Sequence, residues 1–247
     1  MKKEYILDIM RSQKTVFTFK DLILLWGESD VNFVKKKIHR YVKAGKMRAV
    51  RRGVYSKYKR YDPYELATKI YTPAYVSFET VLGAAGVTFQ WYGQIFVASY
   101  TTREIECDGQ KYSFKKMKDA ILTNQLGLES RENYSIASPE RAFLDVIYLN
   151  KEYHFDNLSA LNWEKVHDIL PLYCGNKRMA KMVKMYHEAF SAEGGPASGG
   201  KITNEKNHMA LDTAKHKNVL TKILKDIYTD ASISPILGFK GGTAAAF

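Results

Sequence analysis

Cysteine and long apolar runs are scarce in this sequence. Its 247 residues include two cysteines, Cys107 and Cys174, whose spacing fits neither a zinc site nor a disulfide framework. We therefore expect two reduced thiols in a cytoplasmic protein. No stretch reaches the roughly 20 apolar residues that a membrane span needs. Met1-Lys2-Lys3 leads into an amphipathic segment and not into the apolar core of a signal peptide. The sequence thus predicts neither a membrane protein nor a secreted one.

Side chains that carry catalysis or bind metals show no recognisable arrangement either. The six histidines do not have metal-ligand spacing: His39, His154, His167, His187, His208 and His216. Ser138 lacks the glycine-flanked turn of a hydrolase nucleophile. We interpret Glu140 and Asp145 as a helix-surface arrangement and not as an acid–base pair. We expect no catalytic residue, no metal and no cofactor, and so a protein that is not an enzyme.

Positive charge is present in excess, and it is concentrated at one end of the chain. The formal net charge is +12. Residues 1–60 hold 17 Lys and Arg against 5 Asp and Glu, whereas the remaining 187 residues hold 21 of each sign. A basic tail that only aids solubility fits poorly, because these charges alternate with a regular apolar pattern. Such a charge distribution is typical of a nucleic-acid-binding domain.

The basic segment has the pattern of a helix-turn-helix. Thr18 with Asp21 three residues later predicts the start of a helix, and Gly27 predicts its end. A second helix is predicted over 31–44, with Gly45 after it. Either Ser29 or Asp30 can cap this second helix. Its apolar residues at helical spacing predict a buried side: Val34, Ile38, Tyr41 and Val42.

The other side of the second helix is polar and cationic. It carries the residues Asn32, Lys35, Lys36, His39, Arg40 and Lys43. A recognition helix needs such a face, because its first turns reach base edges and its cations reach phosphates. Two short strands around Arg51-Arg52-Gly53 then predict a basic hairpin, the wing of a winged helix. From the hairpin we add Arg48, Arg51, Arg52 and Lys57 to the predicted DNA-binding residues.

The remaining chain predicts a mixed α/β domain, a linker and a short helical tail. Asp62-Pro63 and Ser138-Pro139-Glu140 each predict a helix start, and Asp108-Gly109 predicts a hairpin turn between strands. A further helix is expected within Tyr75–Val87, with Ser77 as its cap. The predicted fold class is therefore α+β, with an N-terminal winged helix-turn-helix. The predicted divisions are a winged helix at 1–60, an α/β domain at 61–190, a flexible linker at 191–208 and a tail at 209–247.

Several segments together resemble one family. Thr18 with Asp21-Leu22, Arg52-Gly53-Val54-Tyr55, AYVSFETVL at 74–82 and ASPERAFLD at 137–145 are similar to abortive-infection antitoxins of type IV toxin–antitoxin systems, the AbiEi-like family. The resemblance covers roughly residues 1–190. It implies a winged helix that binds repeats in the promoter of its own operon and represses it. It also implies a C-terminal domain that counters a nucleotidyltransferase toxin.

The tail resembles the beginning of that partner toxin, an AbiEii-like nucleotidyltransferase. LGFKGGTAAAF at 237–247 is similar to the Gly-Gly-Thr turn of this superfamily, in which backbone N–H groups hold triphosphate. The resemblance gives Gly241, Gly242 and Thr243 as a vestigial nucleotide-binding turn. The acidic pair that holds metal does not follow it, so we expect no catalysis from this segment. Residues 191–247 are joined to the antitoxin-like part either by natural read-through into the next reading frame or artificially.

Two alternatives remain open at this stage. The chain can be a partial nucleotidyltransferase, which the missing acidic pair disfavours. It can also be an interaction module whose basic domain binds RNA. Aromatic residues are plentiful, with 17 Tyr and 12 Phe, but no sequence signature of an RNA-binding module is present. Direct contact with the toxin is an open question as well.

Overall fold

A computed structural model of the protein describes residues 4–192 and shows a mixed α+β fold. The predicted linker and tail, with Gly241, Gly242 and Thr243, lie outside the described residues. The first 57 described positions contain, in order, α1 (Tyr5–Arg11), β1 (Val16–Thr18), α2 (Phe19–Trp26), α3 (Val31–Lys43), β2 (Arg48–Arg51) and β3 (Val54–Ser56). The predicted helix pair and hairpin are present within one or two residues of their expected bounds.

A longer series of elements follows residue 60. These elements are α4 (Pro63–Ile70), β4 (Ala74–Val76), α5 (Glu79–Ala84), β5 (Gln94–Ser99), β6 (Arg103–Cys107), β7 (Gln110–Lys116), α6 (Asp119–Leu122), β8 (Leu128–Ser130), β9 (Ser135–Ala137), α7 (Pro139–Leu149), α8 (Trp163–Ile169), a 3-10 turn (Leu170–Tyr173) and α9 (Lys177–Ala192). No helix among these elements or the earlier ones is long and apolar enough to cross a membrane.

The local signals at the helix ends act as predicted. Thr18 and Asp21 form a reciprocal capping box at the start of α2, and Gly27 ends that helix with φ +62°. Of the two candidate caps for α3, Asp30 is the one used, because its carboxylate accepts hydrogen bonds from the backbone N–H groups of residues 32 and 33. Asp62 caps α4 in the same way.

The strands form two sheets. The smaller sheet is antiparallel with the order β1-β3-β2. The larger sheet is mixed with the order β6-β7-β5-β4-β9-β8, and its parallel pairs are β5–β7 and β4–β9. Asp108 and Gly109 both have positive φ in the tight turn between β6 and β7. That conformation is the one a two-residue hairpin turn requires.

The helix expected within Tyr75–Val87 is present, but its predicted cap, Ser77, is wrong. The helix begins at Glu79, and the residue in the cap position is Phe78, with φ +57°. Residues 74–76 before it form β4, a strand that was not predicted. Val76 pairs with Val97 of β5 on one side and with Ile136 of β9 on the other. The sequence alone does not reveal this pairing, because both partner strands are distant along the chain.

Two groups of buried side chains stabilise the described residues. The smaller one joins the three N-terminal helices and consists of Ile9, Phe17, Leu22, Trp26, Val34, Ile38 and Met47. The larger one lies around the six-stranded sheet and α7, and it also takes in Val16 and Val54. Neighbouring residues of β1 therefore enter different cores, as the two-residue alternation of a strand allows. The small sheet is thus packed against both parts of the described chain.

Candidate nucleic-acid interface

The exposed side of α3 is formed as predicted. Val34 and Ile38 are buried in the smaller core and fix the rotation of the helix. Six side chains of the predicted interface remain exposed on it: Asn32, Lys35, Lys36, His39, Arg40 and Lys43. Lys37 differs from them, because its ammonium group lies over the rings of Tyr5 and Phe33 at 5.1 and 5.3 Å from their centroids. The structure therefore presents one polar, cationic helix face to solvent.

The four basic residues of the hairpin have four different environments. Arg52 is exposed at the tip. The Arg51 guanidinium lies 5.9 Å from the centroid of the Tyr71 ring. Lys57 donates hydrogen bonds to the carbonyl oxygens of Met10 and Ser12, at 2.6 and 2.9 Å, and so holds the end of α1. Among the described residues, the Arg52 side chain makes no hydrogen bond, ion pair or ring contact, whereas Lys57 has a clear structural role.

Arg48 is engaged by a carboxylate from the other part of the chain. Its two guanidinium nitrogens donate to the two carboxylate oxygens of Asp108, at 2.8 and 2.6 Å. Tyr61 donates a third hydrogen bond to Asp108 at 2.6 Å. The hydrogen bond from Tyr61 and the nearby Arg48 lower the pKa of Asp108, so this carboxylate is charged at neutral pH. A DNA phosphate would have to compete with Asp108 for Arg48.

We expect Asp108→Asn to strengthen binding to duplex DNA. The neutral amide holds Arg48 less firmly and leaves its guanidinium available for a phosphate. One added phosphate contact should steepen the dependence of log K on log salt concentration by about 0.9. Fluorescence anisotropy at three salt concentrations measures this slope. The matched control is Asp119→Asn, an exposed aspartate elsewhere on the same part of the chain. An unchanged slope for Asp108→Asn would show that Arg48 does not reach DNA.

The basic segment is held against α4 by buried polar contacts. The Glu65 carboxylate, fully buried, accepts hydrogen bonds from the backbone N–H groups of Thr15 and Val16 at 3.1 and 3.2 Å. Asp21 forms ion pairs with Lys14 and Lys69 at 3.2 and 3.3 Å. These contacts join β1 and α2 to α4 across the predicted boundary near residue 60.

Asp21 is ionised at neutral pH in this arrangement. Burial acts to raise the pKa of Asp21, but hydrogen bonds from Thr18 and the charges of Lys69 and Lys14 outweigh burial and lower it to about 2. Its carboxylate therefore completes the capping box of α2 and the ion pair to α4 at the same time.

A group of buried charged and hydroxyl side chains lies around α7, where the sequence predicted a surface. Glu140 and Asp145 were interpreted as a helix-surface arrangement, and this interpretation is wrong. Asp145 is fully buried and Glu140 is 5% exposed, with a carboxylate oxygen that accepts from the backbone N–H of Asn162 at 3.2 Å. Helical periodicity cannot report this burial, because α7 is covered on more than one side by the sheet and by other helices.

Asp145 is the centre of that group. Its carboxylate accepts hydrogen bonds from the hydroxyls of Tyr173 and Ser77 at 2.7 Å and from Tyr75 at 3.0 Å. The Arg141 guanidinium, also fully buried, has its Nε 3.4 Å from the carboxylate. Burial raises the pKa of Asp145, and the nearby Arg141 charge acts in the opposite direction. Because these groups are closed off from solvent, we assign them to folding and not to chemistry.

Within residues 4–192, no group of three or more His, Cys, Asp and Glu side chains is arranged to hold a metal ion. His167 and His187 lie with ring nitrogens 3.4 Å apart between α8 and α9, and Trp163 stacks on His187. Cys107 and Cys174 are both free thiols.

Searches with this sequence find no matching protein-family model and no matching curated protein.

Proposed function

We propose that this protein is a DNA-binding antitoxin that represses its own operon and counters a nucleotidyltransferase toxin. The observation that carries the proposal is the exposed cationic face of α3, on a helix whose opposite side is anchored by Val34 and Ile38. The uneven charge of the sequence supports it, because the whole excess of positive charge lies in residues 1–60. The antitoxin part of the proposal rests on the family resemblance of residues 1–190.

We infer that residues 1–60 act as a winged helix-turn-helix. In this reading α2 and α3 are the helix pair, α3 is the recognition helix, and β2 with β3 is the wing. Three helices with an antiparallel sheet of order β1-β3-β2 support this inference. Asn32, in the first turn of α3, and Arg40 are the residues proposed to contact base edges. The lysines of α3 and Arg52 are proposed to contact phosphates and to set the position of the domain.

A binding titration tests the DNA-binding half of the proposal. The full chain is titrated against the duplex upstream of its own reading frame and against a scrambled duplex, each at two salt concentrations. Specific binding that weakens steeply with salt is the expected result, since cations on the protein release counterions from DNA. Equal affinity for the two duplexes would contradict an operon-specific repressor.

Lys36→Ala and Arg52→Ala are expected to weaken binding to both duplexes. Each removed phosphate contact should lower the salt slope by about 0.9, whatever the DNA sequence. Lys184→Ala is the matched control, because Lys184 is an exposed lysine on α9, outside the basic segment. Anisotropy titrations over a range of salt concentrations measure the slopes. Unchanged slopes and affinities in both variants would remove α3 and the hairpin from the interface.

The antitoxin half needs a separate experiment. Co-expression of the full chain with the nucleotidyltransferase from its operon is expected to restore growth that the toxin alone arrests. The Arg52→Ala chain should still restore growth while its repression of a promoter reporter weakens, because the two roles are assigned to different parts of the chain. Failure of the unaltered chain to restore growth would refute the antitoxin role and leave the DNA-binding role standing.

A further inference from the structure

An aromatic loop stands out on the surface between α5 and β5. It comprises residues 88–93 and exposes two large rings, with Phe89 71% and Trp91 86% accessible to solvent. The loop is nonetheless held in place, because the backbone N–H of Phe89 donates to the Asp156 carboxylate at 2.7 Å. The Trp91 ring lies beside Gly93, where a Cβ atom would be 3.5 Å from two ring carbons. One side of the ring is thus supported by the loop while most of its surface remains open.

A cavity lies beside this loop. Its volume is about 500 Å³, which is within the range of small-ligand sites. Aromatic rings and carboxamides line it together: Tyr64, Phe89, Trp91, Gln90, Gln94 and Gln110. Rings offer a stacking surface, and carboxamides offer both hydrogen-bond donors and acceptors.

A buried hydroxyl in the cavity wall has no partner of its own. Thr88 is 4% exposed, and among the described residues its Oγ1 makes no hydrogen bond. This atom lies 4.0 Å from the position a Cβ would take at Gly83, and both residues line the cavity. A buried hydroxyl without a partner is unfavourable. Because Thr88 lines the cavity, a polar group of a bound ligand can supply the hydrogen bond that its hydroxyl lacks.

The charged side chain in the cavity wall is paired, which favours a neutral ligand group there. Glu79 lines the cavity, but its carboxylate is paired with Lys115 at 3.2 Å. One exposed cation lies next to the lining: Lys111 follows Gln110 in the chain and pairs in register with Gln94, and both glutamines line the cavity.

We propose that this loop and cavity bind an unpaired nucleobase of single-stranded nucleic acid. The base stacks on Trp91, and its polar edge meets the Thr88 hydroxyl and the carboxamides. A phosphate of the same strand is attracted by the exposed Lys111 beside Gln110. Stacking platforms of this kind hold unpaired bases without strong sequence preference. The site is separate from the face of α3 and goes beyond the proposed binding of duplex DNA.

Tryptophan fluorescence tests the proposal directly. Trp91 is far more exposed than Trp26, which is fully buried, or Trp163, which is partly buried. The full chain is titrated with a 12-nucleotide mixed-sequence single strand, once as DNA and once as RNA. Quenching by at least one strand is expected. The difference between the two arms identifies the sugar that the site prefers.

Substitutions then separate stacking from charge. Trp91→Ala should weaken single-strand binding about 10-fold, whereas Trp91→Phe should largely retain it. Tyr100 is an exposed aromatic residue outside the cavity, so Tyr100→Ala should leave single-strand binding unchanged. Thr88→Val should weaken it about threefold without lowering the melting temperature, because the lost hydroxyl had no protein partner. Duplex affinity should not change in any of these variants, so failure of this site and failure of the α3 site are distinguishable.

Two outcomes would overturn the proposal. One is single-strand binding that Arg52→Ala weakens and Trp91→Ala does not, which would mean that the strand is held by the basic segment alone. The other is no quenching and no binding by either strand, which would leave the loop as a surface for contact with protein.

Discussion

Asp145→Ala is expected to lower the free energy of unfolding by about 3–5 kcal/mol. The substitution leaves the fully buried Arg141 guanidinium without its ion-pair partner. It also removes the acceptor of three hydroxyl groups, those of Tyr75, Ser77 and Tyr173. A buried charge that loses its partner keeps its full desolvation cost, which is why this loss exceeds the value of an ordinary hydrogen bond. Urea unfolding followed by circular dichroism measures the change.

A surface ion pair provides the control for this prediction. Glu129 and Arg131 lie 2.6 Å apart, with side chains 51% and 57% exposed. Glu129→Ala should change the free energy of unfolding by less than about 1 kcal/mol, because water replaces the lost partner. If Asp145→Ala proves equally mild, water must enter the group around α7, and the assignment of that group to folding would be wrong.

Gly127→Ala is the second large effect, with an expected loss of about 3 kcal/mol in the free energy of unfolding. Gly127 has φ +72°, a conformation that disfavours any side chain. An alanine Cβ would also lie 2.8 Å from Ile169 Cδ1 and 3.0 Å from Arg141 Cβ, closer than such atoms normally approach. Backbone strain and overpacking therefore add together. The same urea titration measures the loss.

Gly175→Ala separates these two contributions. Gly175 has a similar φ of +63°, but a Cβ there would have no atom within 4 Å. It should therefore show only the backbone cost of about 1 kcal/mol. Equal losses in the two alanine variants would mean that Ile169 and Arg141 move aside at no cost, and the packing argument at Gly127 would fail.

The site predicted on α3 and the hairpin is visible in the sequence because it lies at the surface of short, regular elements. Val34 and Ile38 repeat at helical spacing, so the opposite cationic face follows from the period alone. The capping box of Thr18 and Asp21 and the turn at Asp108-Gly109 depend on the neighbouring backbone only. Where a local signal is sufficient, the sequence predicts the element within one or two residues.

The local sequence does not predict the environment of each basic side chain. Nothing local distinguishes Arg48 from Arg52, yet Arg48 forms an ion pair with Asp108, 60 residues away, and Arg52 forms none among the described residues. The cavity beside Trp91 was also missed, because its walls come from α4, α5, β5 and β7. Exposed aromatic residues in a loop, TFQWYG at 88–93, were the signal that could have indicated it.

The sequence by itself determined several helix ends, the two hairpins, the basic N-terminal segment and the polar face of α3. Each depends on interactions between residues a few positions apart. Only the tertiary structure decided that residues 74–76 form a strand, that Asp145 and Arg141 are buried, and that Asp108 holds Arg48. These features come from contacts between residues 21 to 70 positions apart or from burial by elements distant in sequence. A local pattern carries no information on such partners, because the chain must fold before they meet.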